Sequence, residues 1–187
     1  MVARLKYNSP VILTFALICS IIFILDKFTA NHLMRLFAVG SEINFTNPLS
    51  VFTLFSHIFG HANMEHLLGN LTLVLLLGPI AEEKYGSLNI FIMILITAFI
   101  TGLLNVIFFD TALMGASGIV FMLILLVSFT NVDAGQIPMT FVLVAILFIG
   151  KELLLSVKDD QVAQYAHIIG GFCGGVFGFT GILKRNY

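Results

Sequence analysis

The sequence predicts an all-α membrane protein, a bundle of six transmembrane helices, and three observations carry that reading. First, 59% of the 187 residues are hydrophobic and 10% are charged, with a mean hydropathy of +1.05. A soluble domain averages about 25% charged residues, so this chain lacks the polar surface to cover a water-soluble fold, and its solvent is lipid. Second, apolar runs close to the roughly 20 residues that a spanning helix needs recur six times. Third, glycine, proline and charge fall mostly between those runs, in "NFTNPLS", "AEEKYGS", "FFDTALMG", "NVDAGQIP" and "SVKDDQ". A net charge of −1 without a basic patch argues against nucleic-acid binding. Cys19 and Cys173 lie deep in apolar runs and read as buried small hydrophobes, not as a disulfide.

The spans fall approximately at residues 10–27, 64–81, 88–109, 115–131, 137–156 and 163–183, within a single domain over 1–187. The first opens after Arg4 and Lys6, as a signal peptide does. "FTA" is a poor cleavage site and Asp26 and Lys27 come too early, so it reads as a retained span. Residues 28–63 form a long first loop, half apolar and half polar, of a length that is functional or lies on the membrane surface. The later spacers are short, so successive helices are antiparallel neighbours. Six spans place both termini on one side with Arg4, Lys6, Lys84, Lys184 and Arg185, against Lys27, Arg35, Lys151 and Lys158 on the other. The positive-inside rule then favours cytoplasmic termini. The compact form points to the inner membrane of a bacterial cell.

Polar residues inside spans are costly and face the bundle interior. Three groups stand out. His57, His61, His66 and Asn70 lie around the start of the second span, where His66 and Asn70, four residues apart, share a helix face. Ser117 sits in "GASG" at the start of the fourth, flanked by Gly115 and Gly118. His167 opens the sixth. Taken singly, such a serine bonds back to a carbonyl and Asn70 is interhelical glue. Together, they lie toward the same ends of three spans that run in one direction, so they can converge at one depth.

Ala166, Gly170, Gly174 and Gly178 recur every four residues along the sixth span. Such ridges of small residues let helix backbones approach closely. If the ridge faces the fourth span, His167 comes near Ser117 and can take its hydroxyl proton during attack on a carbonyl. The helix N-terminus at Ser117, with side-chain donors from His66 and Asn70, can hold the resulting oxyanion. Asp110, Asp159 and Asp160 read as loop solubility, which leaves a Ser–His dyad.

These residues resemble the rhomboid family of intramembrane serine proteases. "SHIFGHANMEHLLGN" with the later "EEKYG" is similar to the family's second helix, "GASG" to its G-x-S-G nucleophile motif, and "AHIIGG" to the A-H-x-x-G motif of its sixth. The resemblance covers residues 50–183. It implies cleavage of other membrane proteins in or near their transmembrane segments, without metal or cofactor. Ser117 is then the nucleophile, His167 the general base and acid, and His66, Asn70 and Ser117 the oxyanion hole. His61 matches a histidine that ties down the first loop. Two features depart from many members. There is no tryptophan, hence no first-loop Trp-Arg pair, and Phe121 stands where a tyrosine stacks on the catalytic histidine. A rival reading is a silent relative that binds transmembrane clients, against which the intact set of Ser117, His167, His66 and Asn70 stands. A metal site on His57, His61, His66 and Glu65 lacks an H-E-x-x-H pair and leaves Ser117 and His167 unexplained.

Overall fold

The computed structural model describes residues 5–29, 32–130, 136–155 and 161–180. Seven helices follow in order among them: α1 Pro10–Phe28, α2 Pro48–Ser56, α3 Met64–Tyr85, α4 Ser87–Phe108, α5 Ser117–Val127, α6 Met139–Leu155 and α7 Gln161–Thr180. No strand occurs among the described residues beyond one isolated antiparallel bridge, Val39 with Leu113. The charges at Arg4, Lys158, Lys184 and Arg185, and the carboxylates Asp159 and Asp160, lie outside the described residues.

Among the described residues, three helices, α1, α3 and α4, are long and apolar enough to cross a membrane. They carry large side chains turned outward, among them Leu17, Ile21, Leu68, Leu76 and Phe91. An apolar solvent accepts such side chains; water does not. The fourth apolar run differs from its expected span. Its helix starts at Ser117 and ends at Val127, 11 residues in all, or about 16 Å of rise against a hydrocarbon core of about 30 Å. Glycine at 115 and turns at 128–130 limit it. Seven of its residues are buried, Gly118 to Leu126 among them, so α5 is a short central pillar wrapped by longer neighbours.

The first loop also proves more ordered than a surface connection. It holds a 3-10 turn at Leu33–Phe37, the helix α2, and a second 3-10 turn at His57–Phe59. Asn47 starts α2 by accepting from the Leu49 N–H at 3.0 Å, the usual device for an orphan donor at a helix start. The stacked rings of Phe55 and Phe99, 5.5 Å apart, seat α2 on α4.

Helix α1 is joined to α3 at two points. A Cβ on Gly78 would lie 2.6 Å from Ile12 Cδ1, so only glycine admits the crossing. Beside it, buried Glu82 caps the start of α1. Its two carboxylate oxygens accept from the N–H groups of Val11 and Ile12 at 3.1 and 3.0 Å. Those donors have no partner inside their own helix, and a carboxylate at a helix N-terminus also meets a favourable dipole. Glu82→Ala is expected to lower the unfolding midpoint in detergent, with a loss of about 2–4 kcal/mol for two buried charge-assisted bonds. Glu82→Gln, which retains one acceptor oxygen, should lose about half as much; an unchanged midpoint for Glu82→Ala would show the cap to be idle.

Candidate active site

Ser117 is the first residue of α5, and the strand of chain ahead of it is pinned by the first loop. Leu113 exchanges both backbone bonds with Val39 at 2.9 and 3.0 Å. Gly115 donates its N–H to His57 O at 2.9 Å. The Ala116 N–H points to His61 Nε2 at 3.5 Å. Gly115 has φ +129°, a backbone state that L side chains rarely adopt, and a Cβ there would lie 2.7 Å from the His66 ring. The first flanking glycine of "GASG" is thus required twice over, by its dihedral and by the histidine packed on it.

The second flanking glycine serves the contact with α7. A Cβ on Gly170 would collide with the Gly118 backbone, one on Gly174 with Met122 O, and one on Gly178 with the Phe129 ring. Residue numbers rise together along both helices, so α5 and α7 run parallel, backbone against backbone. A Cβ on Gly118 would in turn lie 3.4 Å from Ala166 O. This register sets His167 beside the first turn of α5, where its ring lies 4.3 Å from that of Phe121, centroid to centroid. Phe121 therefore packs against the imidazole, its ring tilted by 39°, without offering a hydroxyl.

Ser117, His167, His66 and Asn70 all line one cavity of about 640 Å³, together with Phe121 and Glu65. Asn70 is buried, and its Nδ2 has no hydrogen-bond partner. That donor is 3.8 Å from where a Gly115 Cβ would stand, on the Ser117 side of α3. An unpaired buried amide costs roughly 1–3 kcal/mol, and the residue that carries it is part of the cavity lining. The N–H groups of Ser117 and Gly118 lack acceptors within their own helix. The arrangement gathers a hydroxyl, an imidazole and several donors around one cavity that has room for a segment of peptide chain. Asp110 is exposed and does not line the cavity.

The other two histidines serve the scaffold. His57 is buried, with Nδ1 3.2 Å from Thr53 O and Nε2 3.3 Å from Thr101 Oγ1. His61 Nδ1 lies 3.2 Å from Phe59 O, which sets the Nδ1–H tautomer and leaves Nε2 to accept from Ala116. Their ring nitrogens are thus engaged within the protein and do not converge on a metal; among the described residues no three His, Cys, Asp or Glu side chains do.

Sequence reasoning missed several supports. Tyr165 donates its hydroxyl to Thr101 O at 2.5 Å, and its ring stacks on Phe109 at 4.2 Å, which fixes α7 two residues before His167. Its only sequence signal is a tyrosine two residues ahead of the histidine, in "QVAQYAH". The role of Ala116, a backbone N–H, has no sequence signal at all.

Burial, with the nearby His66 ring adding to it, pushes the His61 imidazole from its ordinary 6.5 down to about 4. The native protein keeps His61 neutral where the unfolded chain takes up a proton. Its contribution to stability is complete above pH 6.5 and is lost as pH falls toward 4, by up to about 3 kcal/mol. Unfolding midpoints measured from pH 7 to 4 should fall accordingly, and His61→Asn should flatten the slope over that window. An equal slope in both proteins would assign the acid sensitivity elsewhere.

With this geometry in place, comparison with known proteins is informative. The Rhomboid domain model matches residues 48–184. RHOMBOID-like protein 7 of Arabidopsis thaliana is 29% identical over 144 residues, which cover 73% of this chain and 45% of that protein. The chain thus spans less than half the length of this relative. The matched region runs from α2 through α7 and includes the cavity and all its lining residues, in an integral membrane protein of apolar helices. The chain belongs to the rhomboid family.

Proposed function

We propose that this protein is an intramembrane serine endopeptidase, cutting transmembrane protein substrates in or near their membrane-spanning segments through a Ser117–His167 dyad. The observation that carries the reading is that Ser117, His167, His66 and Asn70 line one cavity, Asn70 with a buried Nδ2 that has no partner. A packing serine needs no empty donor beside it; a tetrahedral intermediate does.

In this mechanism His167 takes the Ser117 hydroxyl proton as Oγ attacks the carbonyl carbon of the substrate. The carbonyl π electrons move to oxygen, and the oxyanion is held by Asn70 Nδ2, His66 and the Ser117 N–H. Collapse of the intermediate breaks the C–N bond, and His167 protonates the departing amine. Water then attacks the acyl-enzyme, gives its proton to His167, and restores the serine. Ser117 shares the cavity with His66 and Asn70, which stand in the first two turns of α3 and so roughly 5–10 Å below that helix's start, and that cavity is the route for water.

The reading takes six spans, with α5, α6 and α7 completing the bundle that α1, α3 and α4 begin. It orients the start of α1 and the end of α3 toward the cytoplasm and the cavity toward the outer side.

Fluorophosphonate labelling of detergent-purified protein tests the nucleophile. Wild type should label, Ser117→Ala should not, and His167→Ala should fall sharply. A folded wild type that neither labels nor cleaves any transmembrane substrate would favour a silent client-binding relative. In a cleavage assay, Asn70→Ala is expected to lower turnover by ~10²–10³ with little change in KM, since the amide acts on the oxyanion and not on the bound ground state.

A further inference from the structure

Glu65 stands in the first turn of α3, one residue before His66, and lines the same cavity as Ser117 and His167. It is the sole Asp, Glu, Lys or Arg among the described residues lining that space, and it is exposed to it. The other described lining residues carry no fixed charge, Ala62, Gly69, Leu73, Met114 and Val120 among them. Among the described residues, no lysine or arginine of the lining balances the carboxylate. Asn63 already caps this helix by accepting from the His66 N–H at 2.8 Å. A first-turn acid gains some helix stability on any face; on this face it also projects a negative charge into the volume that a substrate must cross.

We propose that Glu65 is a specificity residue, selecting substrates with a lysine or arginine close to the scissile bond and disfavouring an acidic residue there. The proposal rests on the protease reading above. The reach follows from the cavity's size. A sphere of its volume is about 11 Å across, and an extended chain advances about 3.3 Å per residue, so the selected position falls within about three residues of the cut. The charge acts in a water-filled, partly walled space. There a single ion pair gives a modest preference, and like charges a comparable penalty.

The test uses a transmembrane reporter whose cut site has been mapped by mass spectrometry. It is varied to Lys, Gln or Glu at each of the three positions on either side of the cut. Wild type, Glu65→Gln and Glu65→Lys are compared in phosphatidylcholine vesicles, with fluorophosphonate labelling of Ser117 as the common check on the nucleophile. At one position at least, wild type should cleave the Lys reporter with a kcat/KM roughly three- to tenfold above that of the Glu reporter. Glu65→Gln should flatten this ratio and Glu65→Lys should invert it, while labelling stays as in wild type. A purely helix-stabilising role would leave the ranking of reporters unmoved. The same ranking in all three enzymes at every position overturns the specificity proposal and leaves the protease standing. Wild type that cuts no reporter takes down the protease reading and this proposal with it.

Discussion

Helix α7 lies with its backbone on the backbone of α5 because Gly170 and Gly174 carry no side chains where Gly118 and Met122 stand. Lipid supplies no hydrophobic drive for helices to associate, so close van der Waals approach has to hold such pairs together. That approach also fixes a register. With Gly170 over Gly118, His167 falls beside the Ser117 turn, and Phe121 receives its ring. A larger residue at 170 would part the helices and move the imidazole with α7. The packing contact and the placement of His167 beside Ser117 are therefore one constraint, and a change to the glycine ridge that alters stability also moves the imidazole.

The other side of the serine is set by a different kind of contact. Val39, His57 and His61 of the first loop take the backbone donors of Leu113, Gly115 and Ala116. These bonds consume N–H groups ahead of α5, whose own first-turn donors have no acceptor within the helix. A loop of 36 residues between two apolar spans would cost entropy if it were only a connection. Here its turns and α2 build the shelf from which α5 starts. That shelf sets the start of this 11-residue helix beside the first turns of α3, next to the cavity.

The helical class and the position of each long apolar run were legible in the sequence, since both follow from hydropathy and from glycine and proline placement. The clustering of Ser117, His66, Asn70 and His167 was legible too, because polar residues in apolar runs are few and each needs a partner. The length of α5 was not. Its apolar run continues past Val127, and what ends the helix is a turn that hydropathy does not register. The shelf was equally hidden, because its bonds are made by the backbone groups of Leu113, Gly115 and Ala116, and any residue supplies those. Glu82 shows a third kind of silence. As part of an acidic pair between spans it reads as a solvated loop charge, yet it is buried and holds the start of a helix 70 residues away.

Three buried polar atoms among the described residues lack a partner: Asn70 Nδ2, Tyr85 Oη and Asn105 Oδ1. Each carries a comparable desolvation cost, but their surroundings differ. Asn105 already donates through Nδ2 to Gly40 O and Thr111 O at 3.2 and 2.9 Å, so its unpaired oxygen is the remainder of a side chain that ties the first loop to the end of α4. Tyr85 is fully enclosed. Asn70 alone of the three borders the cavity that Ser117 and His167 share. An unmade bond lowers stability wherever it sits. Under the proposed protease reading, the Asn70 donor is reserved for a charge that exists only during reaction, which is the condition for favouring the transition state over the bound substrate.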